Sequence, residues 1–130
     1  MNYDDFYTSA HVGSELFEKG ELDEAREVFE RLAASDISPL DRANMLRNVA
    51  AVLEKQGRKQ DAIAVYDRAI ALERPFCRND ALERKAVLLA ESNQPQASIA
   101  LYEEILRQPY ATEDEKYRCR SNIDILRQRL

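Results

Sequence analysis

The chain has 130 residues, of which 45% are hydrophobic and 33% charged, and its formal net charge is −5. This length allows one domain, 1–130, and leaves no room for a second core. The acidic balance argues against attraction of the whole protein to nucleic acid or to an anionic membrane. No apolar run is long enough to span a bilayer, so we expect a cytoplasmic protein.

Signals for helix ends predict two helices in the first 34 residues. Asp4 or Asp5 is expected to cap the first helix, which ends at Gly20, a residue that tolerates left-handed backbone. The second helix is predicted from about residue 22 to 34, where apolar residues recur at three- and four-residue steps. These two helices are the first of several such pairs.

The clearest helix start lies at Ser38 and Pro39. Ser38 is a favoured N-cap residue. Pro39 is tolerated at the first helical position because a backbone N–H there would have no partner within the helix. This third helix is predicted to end at Gly57. A fourth helix runs from about residue 59 to 73, where Pro75 prevents its continuation.

Three more helices are predicted in the rest of the chain. The fifth spans about 79–92, and the sixth opens at Pro95 and closes before Pro109. Thr112 and Glu115 form the signature of a capping box for the seventh. This last helix has no partner and is more polar than the others, as expected of the helix that covers the end of a repeat array.

One pattern recurs in each of the three helix pairs. A small residue is followed by an apolar residue, a turn residue, a second small residue and an aromatic at identical offsets in each copy. The three copies are Gly13, Leu16, Gly20, Ala25, Phe29; Ala50, Leu53, Gly57, Ala62, Tyr66; and Ala86, Leu89, Asn93, Ser98, Tyr102. Because the turn residues recur at intervals of 37 and 36 residues, the pattern predicts stacked supersecondary units.

This pattern resembles the tetratricopeptide repeat family, whose unit is a pair of antiparallel helices A and B of about 34 residues. The second copy matches best, through Ala50, Leu53, Gly57, Ala62, Tyr66, Ala69 and the nearby Pro75. The resemblance implies an all-α fold, an α-α superhelix with three helix-turn-helix repeats and a C-terminal capping helix. The repeats would span about 6–37, 43–75 and 79–109, and the capping helix about 113–129.

The sequence shows no set of residues that would support catalysis, a metal or a cofactor. His11 is the single histidine, and no nucleophile motif accompanies it. Cys77 and Cys119 are far apart and form no CxxC pair. We expect both to be reduced thiols that pack in the interior, while a long-range disulfide stays open as an alternative. The chain is therefore predicted not to be an enzyme and to need no cofactor.

The resemblance implies that outward positions of the A helices line a concave groove. Basic and amide side chains are prominent among these positions, with Asn48 and Arg84 at the centre, which favours an acidic peptide or a free C-terminal carboxylate. The predicted function is a scaffold or adaptor that binds a peptide segment of another protein. The candidate peptide-binding residues are Tyr7, His11, Asn44, Arg47, Asn48, Arg84, Lys116 and Arg120.

Two alternatives remain open at this point. One subclass of the family binds chaperone tails through a carboxylate clamp, but only Asn48 and Arg84 match its five positions, and Asp80 is placed to pair with Arg84. The second alternative is a self-assembling structural module without a groove ligand, because the first helix carries Tyr3 and Phe6 and has no preceding partner. We expect the chain to be a monomer or a weak homodimer.

Overall fold

The computed structural model describes residues 2–130, which form α-helices joined by short loops and contain no strand. Each helix packs mainly against its neighbours in the sequence, which is the arrangement of a helical solenoid. The all-α prediction is confirmed. The helices are α1 Tyr3–Glu18, α2 Leu22–Ala33, α3 Pro39–Lys55, α4 Lys59–Glu73, α5 Asp80–Glu91, α6 Pro95–Arg107 and α7 Glu113–Arg127, with a 3₁₀ turn at Arg74–Phe76.

The helix starts follow the predicted caps with one exception. The Ser38 side chain accepts a hydrogen bond from the Asp41 N–H at 3.2 Å, and both bonds of the capping box at Thr112 are present. The exception is α1, because Asn2 caps it by accepting from the Asp5 N–H at 2.8 Å. The predicted cap at Asp4 or Asp5 is wrong, and those residues lie in the first turn, where the helix dipole favours negative charge.

Left-handed residues end the first helix of each pair. Gly20 and Gly57 have φ angles of 82° and 77°, and Asn93 takes the same role at 60°. A fourth left-handed residue, Cys77 at 59°, follows the 3₁₀ turn between α4 and α5. Asparagine tolerates this conformation better than most residues with a Cβ, so the third turn forms without glycine.

Small residues allow the two helices of each pair to approach closely. A Cβ added at Gly13 of α1 would lie 2.7 Å from a ring carbon of Phe29 in α2, which is too close for any side chain. At the equivalent contact of α5 and α6, the buried Ser98 hydroxyl donates to the carbonyl of Ala86 at 2.6 Å. Ala25, Ala50, Ala62 and Ala86 are completely buried. A larger residue at these positions would force the helices apart.

A buried carboxylate joins three helices in the middle of the chain. Glu73, at the end of α4, is only 2% exposed; its Oε1 accepts the Ala81 N–H at the start of α5 at 2.8 Å. Its Oε2 lies 3.1 Å from the Arg47 Nε of α3. Burial raises the pKa of Glu73, while the Ala81 N–H and the Arg47 charge act in the opposite direction. Glu73 therefore stabilises the junction of α3, α4 and α5 only while both partners are in place.

We expect Glu73→Ala to lower the free energy of unfolding by about 3 kcal/mol, because it leaves the Arg47 guanidinium and the Ala81 N–H without their partner. Urea denaturation followed by circular dichroism measures this loss. Glu104→Ala is the matched control, since Glu104 forms a partly exposed ion pair with Arg74 at 2.8 Å. Its expected cost is below about 1 kcal/mol. Equal losses in the two variants would contradict the role of Glu73.

The two cysteines differ in their surroundings. Both are free, so the disulfide alternative is not formed. Cys119 is completely buried in α7, as predicted, and burial raises the pKa of its thiol to about 11. Cys77 is exposed, so its predicted packing in the interior is wrong. The reason is the loop between α4 and α5, where Cys77 adopts left-handed backbone beyond the helix end.

We expect iodoacetamide to alkylate Cys77 in the folded protein and to leave Cys119 unmodified, because only an accessible thiolate reacts. Mass spectrometry should find one label in buffer and two in denaturant. With Cys77→Ser the folded protein should take up no label. A label on Cys119 in the folded protein would show that α7 is not packed as described.

Candidate functional site

The outward sides of the odd-numbered helices form one continuous surface, which we call the groove face. On each helix, residues three or four positions apart point to this surface, because they lie on the same side of an α-helix. The groove face consists of Tyr3, Tyr7, His11, Ser14 and Phe17 of α1; Asn44, Arg47, Asn48, Ala51 and Glu54 of α3; Asp80, Glu83, Arg84, Val87 and Ala90 of α5; and Arg118, Asn122 and Ile125 of α7.

A first recess opens on the groove face between α1 and α3. Its volume is about 190 Å³, and the buried Phe29 of α2 contributes to its lining. Phe17 and Ala51 supply apolar walls from the two flanking helices, while Asn48 brings an amide and Glu18 a carboxylate. The recess is thus an apolar pocket with polar groups beside it.

A second recess opens between α5 and α7, with a volume of about 430 Å³. The buried Tyr102 of α6 takes the place that Phe29 has in the first recess, and its hydroxyl accepts a hydrogen bond from the Asn122 Nδ2 at 3.2 Å. Val87 and Ile125 are exposed apolar side chains in its walls. Glu91 brings a carboxylate and Arg129 a guanidinium to this recess.

Polar side chains occupy the corresponding position between α3 and α5. The hydroxyl of the buried Tyr66 of α4 donates a hydrogen bond to the Glu54 carboxylate, and Arg84 lies beside the same hydroxyl. Burial and the hydrogen bond to Glu54 raise the pKa of Tyr66 far above its ordinary value. Burial likewise raises the pKa of Tyr102 to about 12. Both tyrosines are therefore neutral at physiological pH.

Arg84 and Asn48, the predicted centre, both lie on the groove face. Arg84 is exposed, and within residues 2–130 no carboxylate oxygen comes within ion-pair distance of it. The expectation that Asp80 would pair with Arg84 is wrong, because Asp80 lies 3.2 Å from the Arg78 Nε. Asn48 is half-buried beside the first recess. These two predicted residues are thus available to a ligand.

The other predicted residues of α1 and α3 differ in their availability. Tyr7 is 63% exposed and packs its ring against Phe6. Asn44 is exposed. His11 lies 2.7 Å from the Glu15 carboxylate one turn later, and Arg47 is held by Glu73. The charge of Arg47 is therefore largely neutralised within the protein.

The predicted residues Lys116 and Arg120 do not line the groove recess on α7. Arg120 is two residues before Asn122, which turns it about 160° away around the helix. Lys116 is bonded to Glu113 on its own helix at 3.4 Å. The groove side of α7 instead carries Arg118, Asn122 and Ile125, which sequence reasoning missed.

Arg118 is the basic residue that α7 brings to the groove face. Its Nε and Nη2 donate to the two carboxylate oxygens of Glu83 in α5 at 2.7 and 3.0 Å. Hydrogen bonding to Glu83 raises the pKa of Arg118, so the guanidinium stays charged. The pair connects α5 to α7 and neutralises the charge of Arg118 within the protein.

Residues 13–75 match the family model of the tetratricopeptide repeat. These residues form tetratricopeptide repeats. The segment covers α2, α3 and α4, including Phe29 and Tyr66 below the groove face. No curated protein sequence matches the chain.

Solved structures with the same fold cover nearly the whole chain. PcrH of Pseudomonas aeruginosa, in complex with the chaperone binding region of PopD, has a TM-score of 0.75 and 14% identity over 99% of this chain and 96% of that one. The Yersinia enterocolitica type III secretion chaperone SycD, with a peptide of the translocator YopD, has a TM-score of 0.72 and 15% identity over 97% and 95%. At such identities the similarity shows the tetratricopeptide-like fold.

A third structure of the same fold comes from a different class of protein. A putative kinesin light chain of Podospora anserina with TPR-like repeats has a TM-score of 0.75 and 14% identity, over 95% of this chain and 65% of that one. No helix within residues 2–130 is both long and apolar enough to cross a bilayer. The chain is thus an all-α repeat protein whose distinctive surface is the groove face.

We expect Tyr66 and Tyr102 to stay neutral at pH values at which exposed tyrosines ionise, because burial raises the pKa of both. The ultraviolet absorbance of tyrosinate measures this. Below the pH of unfolding, Tyr66→Phe and Tyr102→Phe should leave the titration amplitude unchanged. Tyr117→Phe, the control at an exposed position, should lower it. A reduced amplitude for Tyr66→Phe would mean that the hydroxyl is accessible.

Proposed function

We propose that this protein is a non-catalytic, cytoplasmic adaptor that binds a short segment of a partner protein along the groove face. The observation that carries the proposal is the pair of recesses at equivalent places, between α1 and α3 and between α5 and α7. Each recess combines apolar walls with polar groups, which is the usual composition of a ligand site. Two such recesses on one surface suit an elongated ligand better than a compact small molecule.

Amide side chains support an extended peptide as the ligand. Asn44 and Asn48 lie one turn apart on α3, the first exposed and the second half-buried. Each amide supplies both donors and an acceptor, so together they match the alternating N–H and C=O groups of an extended backbone. Tyr7 and His11 extend this surface along α1, and Arg84 offers a cation for an acidic group of the segment.

The solved structures of the same fold are consistent with this proposal. PcrH has been crystallised with the chaperone binding region of PopD, and SycD with a peptide of YopD. Both ligands are segments of larger partner proteins. We propose the same kind of ligand here, a protein segment, without carrying over its sequence. Lys116 and Arg120 are left out of the proposed site because they lie on other sides of α7.

Selection of peptides from a random display library tests the proposal. We expect the folded protein to enrich a set of related peptides, and the double variant Asn48→Ala/Arg84→Glu to bind the best of them at least about tenfold more weakly, a loss of about 1.4 kcal/mol. Isothermal titration calorimetry measures both affinities. Arg120→Glu is the control, because it reverses the same charge at a position outside the recesses. It should bind the selected peptide with unchanged affinity.

Two outcomes would contradict the proposal. In the first, the folded protein enriches no peptide family. In the second, the double variant and Arg120→Glu bind equally well, which would place the ligand elsewhere. Sedimentation of the free protein and of the double variant tests whether a second copy of the chain occupies the groove face. If it does, the protein self-associates, and the two substitutions change that self-association.

A further inference from the structure

Three positions on the groove face are equivalent in structure, and they differ in what fills them. At each one, the aromatic residue of an even-numbered helix lies below two neighbouring odd-numbered helices: Phe29 first, Tyr66 second and Tyr102 third. The first and third positions are open recesses. The second is filled by Glu54 and Arg84, which meet at the Tyr66 hydroxyl. A bound segment thus meets an opening, a polar surface and a second opening, in that order.

The two openings favour apolar side chains, and the first also disfavours acidic ones. Phe17, Phe29 and Ala51 line the first, and Val87 and Ile125 line the second. A volume of about 190 Å³ or more accommodates an aliphatic or aromatic side chain. The first opening carries the exposed carboxylate of Glu18, and like charges repel at short range. In the second opening the exposed Glu91 carboxylate is balanced by the Arg129 guanidinium.

The polar surface between the openings carries an excess of positive charge. Arg84 is exposed, and so is Lys55, which has in α3 the position that Glu18 has in α1 and Glu91 in α5, at the edge of the groove face. The Glu54 carboxylate already accepts a hydrogen bond from the Tyr66 hydroxyl.

The remaining charged groups around this surface are paired. Arg47 lies 3.1 Å from Glu73, Glu83 binds Arg118 and Asp80 lies 3.2 Å from Arg78. Two exposed cations therefore stand against one hydrogen-bonded carboxylate, and an acidic side chain of the ligand is complementary to this part of the groove face.

We infer that the ligand of the proposed groove is an extended segment with an apolar side chain at each end and an acidic side chain between them, the acid facing Arg84. This inference rests on the proposed function and specifies its ligand. Directly packed helices lie roughly 10 Å apart, and the odd-numbered helices are at least that far from each other because each packs mainly on the even-numbered helix between them, so the two openings are at least roughly 20 Å apart. An extended chain advances about 3.3 Å per residue, and the two apolar residues are therefore at least about six positions apart.

The probe for this inference is a library of random peptides of twelve residues, sequenced after selection on the folded protein and on single variants. The unmodified protein should enrich two apolar positions at least about six residues apart, with Asp or Glu between them. Peptides selected on the Arg84→Glu variant should carry Lys or Arg in place of the central acid and should keep both apolar positions. Glu54→Gln should strengthen the preference for the acid.

Substitutions in the openings test the two ends separately. Ala51→Leu fills the first opening and should remove the apolar preference at one end of the segment, lowering the affinity of the selected peptide about tenfold. Ile125→Ser should weaken the preference at the other end. Arg68→Glu, a charge reversal at an exposed position of α4, is the control and should leave the selected pattern unchanged. Circular dichroism verifies that each variant is folded.

The outcomes separate this inference from the proposed function. If the unmodified protein enriches peptides that lack two spaced apolar residues or the central acid, the ligand inference is overturned while peptide binding stands. An unchanged central residue in Arg84→Glu would also overturn it. If no peptide is enriched at all, the proposed function itself fails. Peptides enriched equally by all variants would show binding outside the groove face.

Discussion

The structure depends on the contact between one buried aromatic ring and the helices on either side of it. Phe29 lies against Gly13, where no side chain would fit, and Tyr66 reaches Glu54 of the preceding helix and Arg84 of the following one. The Tyr102 hydroxyl accepts a hydrogen bond from Asn122 of α7. Because each buried ring lies between two odd-numbered helices, its size sets how closely they can approach. The groove face exists because this spacing is repeated.

The same rings that hold the helices together also lie beneath the groove face. A ring below an opening is shared by the core and the site, so a change in its size alters both stability and the shape of the opening. The surface residues above the rings are not under this constraint. Glu54 and Arg84 close the second position while Ala51 and Val87 leave its neighbours open, although the helices beneath are alike.

Local physics made most of the fold predictable from the sequence. The N-cap at Ser38, the capping box at Thr112 and the turns at Gly20 and Gly57 depend on a few adjacent residues, and all of them form. Interactions between distant residues were not predictable in this way. From the sequence, Glu73 is expected to be the last residue of an exposed helix turn. Only the packing of α3 and α5 around it shows that it is buried.

Prediction of the groove face failed where the repeat pattern ends. In α1, α3 and α5 the turn residue after each helix indicates which side chains point outward, and Asn48 and Arg84 lie on that face. No such residue follows α7, and its orientation had no local marker, which is why Lys116 and Arg120 were chosen over Asn122 and Ile125. The buried series Cys119, Ile123 and Leu126 is the signal that would have oriented the helix. Arg118, Asn122 and Ile125 each directly precede one of these three buried residues, so the burial of the series decides which side chains α7 brings to a ligand.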